Sequence, residues 1–331
     1  MTDIQTEKPV VILGGAGKTG GRVATRLQAQ GIPVRAVSRS TGTPFDWEDK
    51  STWENAVEGA AALYIVYQPD LAVPGAVDDI RQFTAIALRQ GVKRMVLLSG
   101  RGEDEAQEAE KVLLESGAEA TVVRASWFAQ NFSESFVLDA LMTGELALPI
   151  ADVKEPFIDV DDIADVVTAA LTDERHIGQI YEVTGPRLLT FAEAVAEIAE
   201  ASGQDFRFRQ ISVEDYTAYL EAAEIPADFI WLLTYLFTTV LDGRNAKVTD
   251  GVHKALGRQP RDFAVGSRRR HRRDRALSLP ARDDITEAVR HGSTSKGQRT
   301  PTQYRGSRRA GCSTRSSHIK NLNTSRGPRT A

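Results

Sequence analysis

Residues 10–23 read VVILGGAGKTGGRV, an apolar run that passes into a glycine loop and then into a helix-forming segment. The glycines fit both GxxGxxG and GxGxxG, and they are Gly14, Gly15, Gly17 and Gly20. Glycine lets the main chain approach a pyrophosphate closely, and the helix that follows offers unpaired N–H groups and the positive end of its dipole. The stretch therefore predicts a dinucleotide-binding βαβ unit, because the loop has its required strand and helix on either side.

The end of the next predicted strand indicates which dinucleotide binds. Residues 34–38 read VRAVS, and a fold of this kind that binds NAD usually carries an acid at about this position for the ribose 2′-OH. Here Ser38 and Arg39 occupy the place, and the first acid after them is Asp46. A guanidinium attracts a 2′-phosphate, and no carboxylate is present to repel it. The sequence thus predicts NADP(H), with the alternative that Arg39 is an exposed charge at a strand end.

The chain is long enough for one large or two ordinary domains, but its charge is unevenly distributed. Of its 331 residues, residues 265–331 hold 17 Lys and Arg against 4 Asp and Glu. Residues 1–264 hold the remaining 24 basic and 41 acidic residues. This acidic part is a poor candidate for binding nucleic acid or an anionic membrane.

Cysteine and histidine content excludes several kinds of site. The single cysteine is Cys312, so residues 1–264 have no thiol for a disulfide, a zinc site or a nucleophile. Their two histidines, His176 and His253, lack metal-ligand spacing, and we expect no metal. The polar start of the chain is unlike a signal peptide, and the apolar residues 229–241 are too short to span a bilayer. These features predict a cytoplasmic protein.

Alternating strands and helices predict an α/β fold, a Rossmann-like doubly wound parallel sheet over residues 1–150. Residues 151–264 predict a smaller α/β lid region, interleaved with this domain and packed against the carboxyl ends of its strands. Its predicted elements are a strand at 157–160, a helix capped by Asp161 and Asp162, a strand at 179–184, a helix after Thr190, a strand at 206–211 and mainly helices over 212–257.

Composition changes abruptly at residue 264. Residues 265–331 are rich in Arg, Ser, Thr and Gly, with the run RRRHRR at 268–273. Such a segment cannot bury enough apolar area to offset its ordering entropy, so it predicts a disordered basic tail or an aberrant C-terminus. The functional alternative is an arm that binds nucleic acid.

Several ordered segments of the chain resemble the NmrA-like branch of the atypical short-chain dehydrogenases. Beside the glycine loop they are VRAVSR at 34–39, FDWEDKSTW at 45–53, VVRASWFAQNF at 122–132 and FIDVDDIA at 157–164. Within that branch, residues 9–263 are most similar to the ergot-alkaloid reductases (agroclavine and festuclavine dehydrogenases) and their bacterial relatives.

The resemblance implies a set of ligand contacts by position. The loop from Gly14 to Gly20, with Lys18 and Thr19, would hold the pyrophosphate, and Ser38 and Arg39 the 2′-phosphate. Asp46 and Trp47 would lie beside the adenine. Tyr67, Gln68 and Pro69 would line the path of the cofactor, and Ser99 and Gly100 would approach the nicotinamide ribose. The nicotinamide and the substrate would be bordered by Trp127, Phe128 and Asn131.

One feature of the larger dehydrogenase family is missing. That family uses Tyr-x-x-x-Lys, in which the lysine lowers the pKa of a proton-donating tyrosine. No tyrosine of this chain has a lysine four residues later, and residues 68–180 contain no tyrosine. Lys111 lies on the expected helix without such a partner, which favours a role as an exposed cation.

Two classes of function are compatible with that absence. The first is an NADPH-dependent oxidoreductase, a monomer or homodimer, whose iminium, quinone or azo-type acceptor needs no strong protein acid. Aromatic side chains suit a flat or cationic ligand, but for Trp231 and Tyr235 the preferred interpretation is that they form the core of the lid region. The second class is a non-catalytic NADP(H)-binding sensor or regulator of the NmrA type.

Overall fold

The computed structural model describes residues 8–264, which form eight strands in two parallel sheets. The strands are β1 (Val10–Leu13), β2 (Val34–Val37), β3 (Ala62–Ile65), β4 (Arg94–Gly100), β5 (Glu119–Ala125), β6 (Glu145–Leu148), β7 (Ile180–Val183) and β8 (Arg207–Gln210). The main sheet has the order β2-β1-β3-β4-β5-β7, and all its pairings are parallel. The predicted fold class is confirmed.

Ten α-helices connect these strands within residues 8–264. They are α1 (Lys18–Ala29), α2 (Trp53–Val57), α3 (Ala76–Arg89), α4 (Asp104–Leu114), α5 (Phe136–Met142), α6 (Val160–Thr172), α7 (Phe191–Ser202), α8 (Val213–Ala222), α9 (Ala227–Tyr235) and α10 (Gly251–Leu256). A π-helical turn, Leu236–Val240, extends α9, and a 3₁₀ turn, Ala129–Phe132, follows β5.

The main sheet is covered on both faces, which explains why its strands are continuous apolar runs rather than alternating ones. All four residues of β1 are buried, and successive ones enter different cores. Val11 and Leu13 pack with α2, α3 and α4, whereas Val10 and Ile12 pack with α1, α6 and α10. Helix α6 belongs to the second half of the sequence. The second half of the chain therefore covers part of one face of the main sheet.

A third core lies around the small sheet of β6 and β8, and it includes residues 129–150 as well as the lid region predicted at 151–264. The sequence predicted β8 but not β6 or α5. The apolar face of α7 enters this core, and α7 begins at Thr190 with a capping box to Glu193, which confirms the predicted cap.

The start of α6 differs from the prediction. Asp159, not Asp161 or Asp162, is the N-cap, and its side chain accepts the N–H of Asp161 at 2.8 Å. The strand predicted at 157–160 is only a single parallel bridge between Phe128 and Ile158. Three carboxylates within four residues all suit an N-cap, and long-range partners of the other two decide which one caps the helix.

Candidate functional site

The sheet order reverses around β1, because β2 lies on one side of it and β3 on the other. In open α/β sheets, ligands bind in the crevice at the carboxyl ends of the strands beside such a switch point. Here the crevice is bounded by the glycine loop that follows β1 and by residues 66–70 that follow β3. The fold therefore places the predicted cofactor loop where a ligand is expected.

The glycine loop is too tight for side chains. Gly14 has a left-handed φ of +63°, and a Cβ at Gly20 would overlap the carbonyl oxygen of Gly14. A Cβ at Gly15 would overlap Ala36 on β2. The N-terminus of α1 has no side-chain cap at Gly17. The residues present fit a pyrophosphate, since a bare backbone turn leads into an uncapped helix start.

Lys18 joins the glycine loop to the predicted substrate border. Its Nζ donates to Oδ1 of Asn131 at 2.9 Å, and burial lowers the pKa of its ammonium group. Thr19, by contrast, is buried behind the loop. Two residues predicted for different parts of the ligand are thus brought together.

The hydrogen bond from Lys18 is one of three polar contacts made by cations on a single face of α1. Sequence reasoning missed this set of contacts. Arg22 makes two hydrogen bonds to Glu134, at 2.6 and 3.1 Å, and Arg26 pairs with Asp161 at 2.8 Å. The cations are spaced by four residues, so they lie on one helical face. That spacing was the available signal. The three contacts connect α1 to the segment after β5 and to the first turn of α6.

Ser38 and Arg39 lie in a turn at the carboxyl end of β2. The Ser38 N–H donates to Oγ1 of Thr41 at 2.9 Å, and that hydroxyl donates back to the Ser38 carbonyl at 3.0 Å. Arg39 is exposed. The turn holds the predicted 2′-phosphate residues beside the crevice, next to the glycine loop.

Trp47 belongs to an aromatic cluster below the crevice. It is 7% exposed, its Nε1 donates to the carbonyl of Val66 at 3.0 Å, and its ring lies 4.6 Å from that of Tyr67. The carboxylate of Asp46 accepts the N–H of Glu48 at 3.1 Å. Both residues therefore have structural partners, and their contact with adenine stays a prediction.

The loop after β3 contains the predicted residues that line the cofactor's path. The Tyr67 hydroxyl donates to Oδ2 of Asp79 at 2.8 Å, and its pKa is raised by burial and then by that carboxylate. Tyr67 is therefore poorly suited to release a proton. Gln68 extends toward Gly14, with its Nε2 3.7 Å from where a Cβ would stand, and Pro69 is exposed.

At the end of β4 only part of the prediction faces the crevice. The Ser99 hydroxyl is buried and donates to Oε1 of Glu110 on α4 at 2.5 Å. Glu110 also accepts Nε of Arg124 at 2.9 Å, so this hydroxyl belongs to a buried ionic group behind the sheet. Gly100 points the other way, where a Cβ would overlap the carboxylate of Glu103. Of the two residues predicted to approach the nicotinamide ribose, Ser99 has its hydroxyl turned away from the crevice. That prediction therefore concerns Gly100 and the backbone only.

Trp127 and Phe128 follow β5 and reach two different cores. The ring of Trp127 lies 5.6 Å from that of Phe237 and 6.0 Å from that of Phe191, in the lid region. Phe128 packs against the core beneath the sheet. Both side chains are only partly buried, so each keeps an accessible face at the carboxyl edge.

Glu155 is a buried carboxyl beside Trp127 that sequence reasoning missed. Its Oε1 accepts the Trp127 N–H at 3.2 Å, and no residue in the described range donates to its Oε2. Burial raises the pKa of this carboxyl to about 7. No sequence signal marks it, because its burial arises from packing between segments distant in the chain.

The aromatic residues of α9 are more exposed than a core would require. Trp231 is 45% exposed and stacks on Tyr235 with ring centroids 5.6 Å apart. The Tyr235 hydroxyl donates to Oε2 of Glu105 on α4 at 2.8 Å. For Trp231 the interpretation as a lid core residue is wrong.

Other ligand classes find less support within residues 8–264. No group of three or more His, Cys, Asp or Glu side chains there could hold a metal ion. In the same range no helix has the length and apolar character that crossing a bilayer requires. Two surface clefts, of about 480 and 230 Å³, are lined by none of the predicted site residues. We place the site at the crevice because the glycine loop and the strand ends converge there.

A parallel sheet with a bare glycine turn at its switch point defines a dinucleotide-binding protein of the Rossmann type. Residues 43–255 match the NmrA-like family, and the chain belongs to that family. The resemblance seen in the sequence is thereby confirmed.

Several relatives of the chain are named as oxidoreductases. The chain is 30% identical over 278 residues to agroclavine dehydrogenase of Claviceps fusiformis, covering 77% of this chain and 94% of that protein. It is 28% identical over 276 residues to an NAD(P)H azoreductase of Xenophilus azovorans, covering 77% and 95%. The crystal structure of an NADPH-dependent quinone oxidoreductase from Escherichia coli, complexed with NADPH, has a TM-score of 0.66 at 22% identity, over 78% of this chain and 98% of that one.

Proposed function

We propose that the chain is an NADPH-dependent oxidoreductase that delivers a hydride to an iminium, quinone or azo-type acceptor without a tyrosine–lysine pair. The observation that carries this proposal is the Lys18–Asn131 hydrogen bond. It joins the glycine turn, which fits a pyrophosphate, to the segment that contains Trp127 and Phe128. One extended ligand in the crevice would span both.

The residues of the chain supply binding and orientation. The glycine turn would hold the pyrophosphate, and Ser38 and Arg39 would hold the 2′-phosphate, which makes NADPH the preferred cofactor. NADPH supplies the hydride when it is bound. Lys18 and Asn131 would fix the end of the crevice where the acceptor enters, and the apolar lid core would exclude water from it.

The acceptor class is supported by chemistry and by relatives. Trp127 and Phe128 present flat apolar faces at the carboxyl edge, which suits a planar acceptor. The exposed acidic side chains of Asp104 and Glu105, in the first turn of α4 after β4, favour a cationic acceptor over an anionic one. The similar proteins include one named as an NAD(P)H azoreductase and one named as an NADPH-dependent quinone oxidoreductase.

The proposal is tested by anaerobic mixing of the protein with NADPH and a panel of iminium, quinone and azo compounds, followed by nicotinamide absorbance. We expect steady oxidation of NADPH only when an acceptor is present. The control is Gly20→Val, whose side chain would overlap the Gly14 carbonyl, displace the glycine turn and so abolish NADPH binding, with circular dichroism used to check that the helices and strands are retained. Tight NADPH binding without turnover on any acceptor would contradict the proposal and favour the non-catalytic sensor.

A further inference from the structure

Two acidic side chains meet between the carboxyl ends of β3 and β4. Asp70 lies in the loop between β3 and α3, and Glu103 is the N-cap residue of α4, where its side chain makes no capping hydrogen bond. Glu103 is 6% exposed, and its carboxyl group lies against Gly100, in the space that a side chain there would fill. Gly100 is the residue for which the sequence predicts contact with the nicotinamide ribose.

Of these two neighbouring carboxyl groups, Glu103 is the one whose surroundings favour the protonated form. Asp70 accepts the N–H of Ala72 at 2.9 Å, which favours its ionised form. No donor in the described range reaches Oε2 of Glu103, and the negative charge of Asp70 disfavours a second charge beside it. We therefore assign the proton of the pair to Glu103.

The surroundings of the pair keep this proton bound. Burial first, and then the negative charges of Asp70, Glu105 and Glu110, raise the pKa of Glu103 well above its usual range. Burial also raises the pKa of Asp70. From α9, the hydroxyl of Tyr235 faces this region and donates to Glu105.

The nearby cations are engaged with other carboxylates. Arg124 pairs with Glu110 behind the sheet. Arg101, the cation nearest in sequence, pairs with Glu182 at 2.7 Å and donates to the carbonyl of Asn245 at 2.7 Å. Among residues 8–264, Glu103 consequently has no salt bridge to a positively charged group that would favour its ionised form.

We propose that the Asp70–Glu103 carboxyl pair is the proton donor of this oxidoreductase and takes the place of the missing tyrosine–lysine pair. The inference rests on the proposed function. A neutral acceptor such as a quinone gains a hydride, and its oxygen takes the proton from Glu103 as the O–H bond of that carboxyl breaks. NADPH is oxidised to NADP⁺, the acceptor is reduced, and solvent returns the proton through Asp70, the more exposed member of the pair.

The first test needs neither cofactor nor acceptor. Infrared spectra of the free protein at pH 7 should contain a protonated-carboxyl stretch that is missing from Glu103→Gln, so that a wild-type-minus-variant difference spectrum shows it. Glu105→Gln, two residues away, should leave that band in place. A difference spectrum without the band would show Glu103 to be ionised and would overturn the proposal.

The second test compares two acceptors on the same variants. A quinone needs a proton as well as a hydride, whereas a preformed iminium cation becomes a neutral amine on gaining a hydride alone. Glu103→Gln should lower kcat for the quinone by roughly 100-fold, which is the usual contribution of a general acid. The kcat for the iminium acceptor and the Kd for NADPH should stay within about twofold of the wild-type values. Glu103→Asp should restore part of the kcat for the quinone.

The outcomes separate this inference from the proposed function. Equal losses with both acceptors, or no loss with the quinone, would overturn the proton-donor role while leaving the oxidoreductase intact. No turnover with any acceptor would overturn the oxidoreductase and the donor role together. Unchanged circular dichroism and thermal midpoint in Glu103→Gln would show that the losses are not caused by unfolding, and Asp70→Asn gives an independent second variant.

Discussion

We propose that Arg39, one side chain at a strand end, determines cofactor choice. It is exposed at the carboxyl end of β2, beside a glycine turn that would hold the pyrophosphate through backbone alone. A backbone cradle does not distinguish NADPH from NADH, because both share the pyrophosphate. Discrimination therefore depends on the groups that reach the 2′ position of the adenosine ribose.

We expect Arg39→Ala to weaken NADPH binding by roughly 10- to 100-fold, since a hydrogen bond to a charged group contributes about 1.5–3 kcal/mol. Binding of NADH should change little. Calorimetric or fluorescence titration with both cofactors measures the two values of Kd. The matched control is Arg89→Ala, an exposed arginine at the end of α3, away from the carboxyl edge. Equal losses for both cofactors would remove the 2′-phosphate assignment.

Glu155 shows how a buried carboxyl couples stability to pH. Its pKa is raised from 4.5 to about 7 in the folded chain, so stability is fully present below about pH 4.5 and is lost as the pH rises through 7. The shift corresponds to about 3 kcal/mol. Glu155→Gln cannot ionise, and its advantage in unfolding free energy over the wild type should grow by about this amount between pH 5 and pH 8.

Urea unfolding at the two pH values measures this difference for Glu155→Gln. Glu108→Gln, an exposed substitution on α4, should follow the wild type at both. Parallel stability profiles for Glu155→Gln and the wild type would show that this carboxyl is already ionised when buried.

At the scale of elements, the start of α6 organises the second half of the chain. Asp162 is completely buried, accepts the backbone N–H of Arg261 at 2.6 Å, and pairs with Arg258 at 2.7 Å. Asp165 and Asp161 pair with Arg26 on α1. One helical turn thereby connects the glycine-loop helix to the end of the described chain.

Asp162→Asn should lower the unfolding free energy by about 2 kcal/mol, because it removes the charge of a completely buried carboxylate that accepts from the Arg261 N–H and from two partly exposed guanidinium groups. For a chain of this size that corresponds to a fall in Tm of roughly 4–8 °C. The adjacent Asp161→Asn is the control, since the Asp161 side chain is 40% exposed and should contribute at most about 1 kcal/mol. Scanning calorimetry of both variants is the measurement, and equal shifts in Tm would contradict this account.

The same elements show what the sequence could and could not predict. The β1–α1–β2 unit was predictable because glycine spacing, apolar runs and helix stops are local signals. The N-cap of α6 was not predictable, because the Asp162 carboxylate accepts a hydrogen bond from Arg261, which lies 99 residues further along the chain. Strand β6 was missed because it is stabilised by β8, far along the chain. At the site, the glycine turn could be predicted, but the burial of Glu103 and Glu155 arises only from tertiary packing.

At the scale of the whole molecule, the last described residues are still held to the rest of the chain by side-chain contacts. Phe263 is buried in the lid core, and Asp262 pairs with Arg187 at 2.7 Å. The predicted basic tail, residues 265–331, lies outside the described residues. Residues 8–264 are therefore held by side-chain contacts as far as the last described residues.

A chain ending at Ala264 should keep its thermal midpoint, and its Kd for NADPH should stay within about twofold, because the sheet, the crevice and the ionic anchors are all retained. A chain ending at Leu256 is the control. It loses Arg258, Arg261 and Asp262, and it should be markedly less stable. Thermal unfolding and NADPH titration measure both. Aggregation of the chain that ends at Ala264 would mean that the tail stabilises the body.

Hydride delivery from NADPH is the central claim, and deuterium transfer measures it most directly. The protein is mixed anaerobically with NADPH carrying deuterium on the transferred position of C4, together with an iminium acceptor, and the amine product is analysed by mass spectrometry. We predict that the product carries one deuterium on carbon and that Gly20→Val forms no labelled product. Tight binding of NADPH with no deuterium in the amine would contradict the account.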